Sequence, residues 1–144
     1  MGTKLFATVE RGINAPLEYA YHWLTDFQED DPQIKGSPLK RKILEKNDKR
    51  CIYAVEKVVG DSVMRSQSVV TFSPPDEYYL ELTGDDMDVI ANYVLHSEGD
   101  GTRLKMTFDI NFKIGSVPKK EELERDINLD WDKYIEVLER EYNQ

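Results

Sequence analysis

Thr102-Arg103-Leu104-Lys105-Met106-Thr107-Phe108-Asp109-Ile110-Asn111-Phe112 decides the fold. Leu104, Met106, Phe108, Ile110 and Phe112 fall on one side of an extended chain, and Arg103, Lys105, Thr107, Asp109 and Asn111 on the other. Because successive side chains point to opposite faces of a strand, this segment is a strand with one dry face and one wet face. Just before it, Gly99-Asp100-Gly101 reads as a hairpin turn. Upstream, Tyr78 to Thr83 repeats the alternation through Tyr78, Leu80 and Leu82, and Met87 to Ser97 does so through Met87, Val89, Ala91, Tyr93 and Leu95.

Further back, Leu39 to Lys46, Cys51 to Val59 and Ser62 to Phe72 are also rich in β-forming residues. The connectors Asn47-Asp48, Gly60-Asp61, Pro74-Pro75-Asp76 and Gly84-Asp85 are short. A parallel crossover needs a dozen or more residues, so these six strands run as an antiparallel meander. A seventh strand is expected at Lys4 to Ile13, from Leu5, Ala7, Val9 and Ile13.

Two helices flank the meander. Asn14-Ala15-Pro16 stops the first strand, proline suits a helix start, and Glu18 complements the positive end of the helix dipole. Leu17, Ala20, Tyr21, Leu24 and Phe27 then give one apolar face. After Ser116-Val117-Pro118, a long helix follows from Leu123, Ile127, Trp131, Tyr134, Ile135, Leu138 and Tyr142, its other face charged. That helix must cover the dry face of the sheet.

Val9-Glu10-Arg11-Gly12-Ile13-Asn14-Ala15-Pro16-Leu17-Glu18, continuing through Trp23-Leu24-Thr25-Asp26-Phe27, resembles the opening of the START-related, SRPBCC or polyketide-cyclase-like superfamily. The element order resembles that family along the entire chain, residues 1–144, as one domain. The resemblance implies an α+β helix-grip fold: a curved seven-stranded antiparallel sheet wrapped around a long C-terminal helix, with short helices after the first strand. It also implies an apolar cavity between sheet and helix. A curved sheet cannot press its whole concave face onto a cylinder, so large side chains must fill the gap or leave a void.

Residues expected around that void are Trp23, Ser66, Ser68, Phe72, Tyr93, Met106, Phe108, Ile127, Trp131, Tyr134 and Ile135. Their aromatic bodies and polar tips suit a pocket that orients an amphipathic molecule, and equally suit a filled core. The strand Ser62 to Phe72 has two readings. Either Met64, Ser66, Ser68, Val70 and Phe72 point inward, the favoured register, or Arg65 does and needs an anionic partner.

The chain has 144 residues, with 19 Lys plus Arg against 28 Asp plus Glu, a formal charge of −9. That balance argues against nucleic acid, whose binding draws on clustered cations. The run Lys40-Arg41-Lys42 is expected to be a solvated strand edge, and Asp30-Asp31 and Asp85-Asp86-Met87-Asp88 to be turn residues. No apolar run is long enough to span a bilayer, and Met1-Gly2-Thr3-Lys4 leads into a strand, so a cytoplasmic protein is expected. Cys51 is alone, which excludes an internal disulfide.

Catalytic signals are sparse. His22 and His96 lack metal-ligand spacing, and each is expected near solvent. No metal or cofactor is expected. The leading expectation is a non-catalytic carrier or sensor of a small hydrophobic or amphipathic ligand, lipid-like or polyketide-like, acting as a monomer or weak homodimer. The alternatives are a cyclase-, dehydratase- or hydrolase-type enzyme using the same cavity, and a protein-interaction or regulatory module.

Overall fold

The computed structural model describes residues 3–35 and 39–144; Met1 and Gly2 lie outside them. Strand β1 (Thr3–Ile13) leads into helix α1 (Leu17–Thr25) and a short 3-10 helix (Asp31–Lys35). Six strands follow: β2 (Lys40–Lys46), β3 (Arg50–Val59), β4 (Ser62–Ser73), β5 (Glu77–Gly84), β6 (Met87–Glu98) and β7 (Gly101–Phe112). Helix α2 (Lys120–Tyr142) closes the chain. All seven strands form one antiparallel sheet in the order β1-β7-β6-β5-β4-β3-β2. The expected meander and the α+β helix-grip architecture are therefore what the chain adopts.

The registers follow the period of the sequence. On β7, Leu104 and Met106 are fully buried while Lys105 between them is exposed. On β4, Ser68 and Val70 are buried and Phe72 half-buried, whereas Arg65 stays outside and meets Glu56 at 3.3 Å. The favoured register of that strand is the one found. At the β6–β7 turn, Gly99 takes φ 61°, a left-handed conformation that L side chains rarely adopt.

Sheet and helices share one core. Val9, Ile13, Cys51, Val70, Ala91, Leu95 and Leu104 come from the strands, Ala20 and Leu24 from α1, and Ile135 and Leu138 from α2. Fully burying a residue such as Leu138 contributes about 1.5–3 kcal/mol, so these contacts fix where α2 lies. Helix α1 is tied down by the Tyr21 hydroxyl, which donates to the Glu77 carbonyl at 2.7 Å.

Both sheet edges are managed. On the β1 edge, the Thr8 and Asn14 N–H groups donate to Glu124 and Glu139 of α2, at 3.2 and 2.7 Å. On the β2 edge, the Ile43 N–H donates to Glu29 at 2.7 Å, and the pairing with β3 shifts register between Ile43 and Glu45. Covered or irregular edges resist pairing with other chains. Among the described residues, no helix is long and apolar enough to cross a membrane.

Candidate functional site

The concave face of the sheet, the segment from α1 through the 3-10 helix, and α2 border a cavity of about 650 Å³ that is partly open to solvent. That volume lies within the range of small-molecule sites, roughly 300–1,000 Å³. Its wall is aromatic: Trp23 from α1, Phe27 after it, Tyr53 from β3, Tyr78 from β5, Tyr93 from β6, and Trp131 and Tyr134 from α2. Strand alternation turns Tyr53, Tyr78 and Tyr93 inward, and helical spacing places Trp131 and Tyr134 above them. Trp131 lies 6.2 Å from Tyr93 and 5.6 Å from Tyr134, centroid to centroid.

Of the residues expected there, Trp23, Tyr93, Trp131 and Tyr134 line the cavity. Ser66, Ser68, Phe72, Met106, Phe108, Ile127 and Ile135 are not among its lining residues. Met106 and Ser68 are fully buried, and Ile135 packs in the core. Phe108 stands edge-on behind Tyr93 at 6.0 Å, and Ile127 is half-buried against the core. Ser66 is half-buried opposite Gly84. Phe72 stacks on Phe27 and lines a separate recess with Leu17, Tyr21, His22 and Pro74.

Two charged residues correct the sequence reading. Lys40 and Lys42 are exposed, as a solvated edge requires, but Arg41 between them points inward, with its side chain only 11% exposed. The alternation of β2 puts Arg41 on the same face as Ile43. Asp31, read as a turn residue, is the counter-charge that makes this possible: the Arg41 Nη1 donates to its Oδ2 at 2.8 Å and to the Gln28 carbonyl at 3.2 Å. The guanidinium also sits over the Tyr53 ring, 4.2 Å from its centroid, and 5.6 Å from that of Phe27. Both Arg41 and Asp31 line the cavity. The strand period carried a signal for Arg41, while the partnership with Asp31 depends on the intervening chain folding back.

Electrostatics keep the aromatic wall neutral. Burial raises the Tyr78 and Tyr93 phenols well above their ordinary range, and pushes Tyr134 up to about 12 despite the opposing influence of Arg41. Each is a hydrogen-bond donor at neutral pH. Burial also raises the Asp31 carboxyl, outweighing the Gln28 backbone and Arg41, which act to lower it. Two lining carboxylates are also engaged: the Trp23 Nε1 donates to Glu141 at 2.6 Å, and Lys46 meets Asp26 at 2.9 Å.

Neither histidine belongs to this cavity: His22 is exposed beside the separate recess, and His96 is exposed on β6. Cys51 is fully buried, and burial raises its thiol, as befits a packing residue. Among the described residues, no three or more His, Cys, Asp or Glu side chains are grouped to hold a metal ion.

The topology, the gripped helix and the position of the cavity define the START-related, polyketide-cyclase-like helix-grip fold. Solved structures with this arrangement include the Zhui aromatase/cyclase from Streptomyces sp. R1128, at 14% identity and a TM-score of 0.72, over 98% of this chain and 94% of that one. A START superfamily protein from Mycobacterium smegmatis is 19% identical, with a TM-score of 0.63 over 98% of this chain and 97% of its own. Ara h 8.0201 is 14% identical, with a TM-score of 0.71 over 97% of this chain and 98% of its own. Identities this low establish a common fold. No protein-family model matches the sequence, and no curated protein is similar to it.

Proposed function

We propose that this protein is a cytoplasmic carrier or sensor that holds a small hydrophobic or amphipathic molecule, lipid-like or polyketide-like, in the cavity between sheet and α2 without transforming it. The observation that carries this reading is the 650 Å³ cavity walled by seven aromatic side chains. Such a wall supplies apolar area for affinity, and a few polar atoms fix orientation. Among the fold neighbours, the START superfamily protein supports it, whereas the aromatase/cyclase favours an enzyme. An enzyme of the cyclase kind is the second reading, favoured by the Asp31 carboxyl and the Arg41 guanidinium standing together in the cavity wall.

The test uses the chain's own reporters. Both of its tryptophans, Trp23 and Trp131, line the cavity, so their fluorescence reports occupancy. Titration with the neutral dye phenylnaphthylamine should change that fluorescence saturably and raise the melting temperature, as any ligand selective for the native state does. Mass spectrometry of extracts from the purified, denatured protein should recover a hydrophobic compound. Protein that arrives empty and shifts neither signal overturns the proposal.

A further inference from the structure

Within the ligand-binding reading, on which this inference rests, the walls of the cavity are held by unequal means. Helix α2 packs along β1, one edge of the sheet, and its Ile135 and Leu138 are buried. It leaves the other edge, β2, to the strap of residues 26–34, where the 3-10 helix packs on both β2 and α2. From this strap Asp26, Phe27, Gln28, Asp30, Asp31 and Ile34 line the cavity. The strap is thus the wall between the gripped helix and the far edge of the sheet.

What fastens the strap to β2 is polar. The Lys46 Nζ donates to Asp26 at 2.9 Å and to the Phe27 carbonyl at 2.7 Å. The Ile43 N–H donates to Glu29 at 2.7 Å, and Arg41 to the Gln28 carbonyl and Asp31 at 3.2 and 2.8 Å. Each of these donors is on β2 and each acceptor on the strap. Beyond Phe27, apolar contact is thin: Gln28, Glu29, Asp30 and Gln33 are exposed, Ile34 is half-buried, and Pro32 is buried. A segment with few buried apolar contacts and exposed hydrogen bonds opens at lower cost than the core. The sheet is fixed by its ladders and α2 by its C-terminal anchors, so the strap is the wall that lifts most readily. Lifting it widens a mouth that is already partly open.

We propose that residues 26–34 form a gate, latched to β2 through Glu29 and Lys46, that lifts to pass a ring-sized ligand and sets the rates at which it enters and leaves. Glu29 and Lys46 are not among the lining residues, so the latch can be cut without changing the wall. A gate that closes alike over the empty and the filled cavity governs both rates and leaves affinity unchanged, whereas a group that grips the ligand alters mainly its release. Stopped-flow mixing of the full chain with phenylnaphthylamine separates the two. Glu29→Ala and Lys46→Met should each raise association and dissociation together, about fivefold, as the loss of one charge-assisted contact at an exposed site implies. The dissociation constant should stay almost where it was.

Hydrogen exchange on the unmodified protein gives a second measurement. The Ile43 amide, whose acceptor is Glu29, should exchange well before that of Leu104 on β7, which lies between β1 and β6. Exchange of the Ile43 amide only on global unfolding overturns the proposal even if neither variant folds. Unchanged rates in a folded variant, or a rise in dissociation alone, overturn it as well. Failure of the dye to bind the unmodified protein sinks the ligand-binding reading itself, and the gate with it.

Discussion

Tyr78 on β5 and Tyr93 on β6 are register partners whose rings lie face to face, centroids 4.3 Å apart and planes 4° from parallel. Cross-strand aromatic pairs stabilise the strands that carry them. This pair also gives the cavity a flat, rigid wall beneath Trp131, and it does so with two phenols almost wholly removed from water.

That removal predicts how the protein fails in alkali. In the folded state the phenols of Tyr78, Tyr93 and Tyr134 lie above the ordinary value of 10.0, so folded protein holds these protons more tightly than unfolded chain. Their contribution is fully present below pH 10 and is lost as pH rises through the folded values. Phenolate absorbance should therefore show these three phenols ionising only together with loss of circular dichroism. Tyr93→Phe should move the unfolding midpoint to higher pH. Ionisation of Tyr78, Tyr93 and Tyr134 near the ordinary value, with the fold intact, would contradict this.

The same residues show how far the sequence could be read. Period alone turned Leu104, Met106 and Tyr93 inward, and it placed Trp131 and Tyr134 on the covered face of α2. It could not tell which inward residues face a void. That depends on how sharply the sheet bends away from the helix, a property of the entire sheet that no single strand encodes. Met106 thus meets solid core, whereas Tyr93 carries the cavity wall. Arg41 was misread for a related reason: a cation in a strand looks solvated until its counter-charge is placed, and Asp31 reaches it only through the fold of the segment after α1.

Ser68 offers a test of packing energetics. It is fully buried between Tyr53 and Leu82 of the neighbouring strands, and its Oγ has no hydrogen-bond partner among the described residues. A buried hydroxyl without a partner costs about 1–3 kcal/mol, so Ser68→Ala should stabilise the protein by about 1 kcal/mol. Urea denaturation should show a higher midpoint with an unchanged slope. A lower midpoint would mean that the hydroxyl has a partner after all.

Helix α2 is gripped unevenly, and Arg11 bears the difference. The buried anchors Ile135 and Leu138 lie in its C-terminal half, while Leu129 nearer its start is 54% exposed. Besides the half-buried Ile127 and Trp131, what holds that start is polar: Arg11 on β1 donates from Nη1 to the Asn128 carbonyl at 3.0 Å and from Nη2 to Asp132 at 2.6 Å. Arg11→Ala should cost about 1 kcal/mol locally, raising amide exchange across residues 120–132 roughly fivefold. The C-terminal half should stay protected by its apolar anchors. Because Trp131 hangs from the loosened segment, dye affinity should fall while the urea midpoint moves little. Unchanged exchange at residues 120–132 would show that packing alone holds the helix, and that the Arg11 contacts follow its position rather than set it.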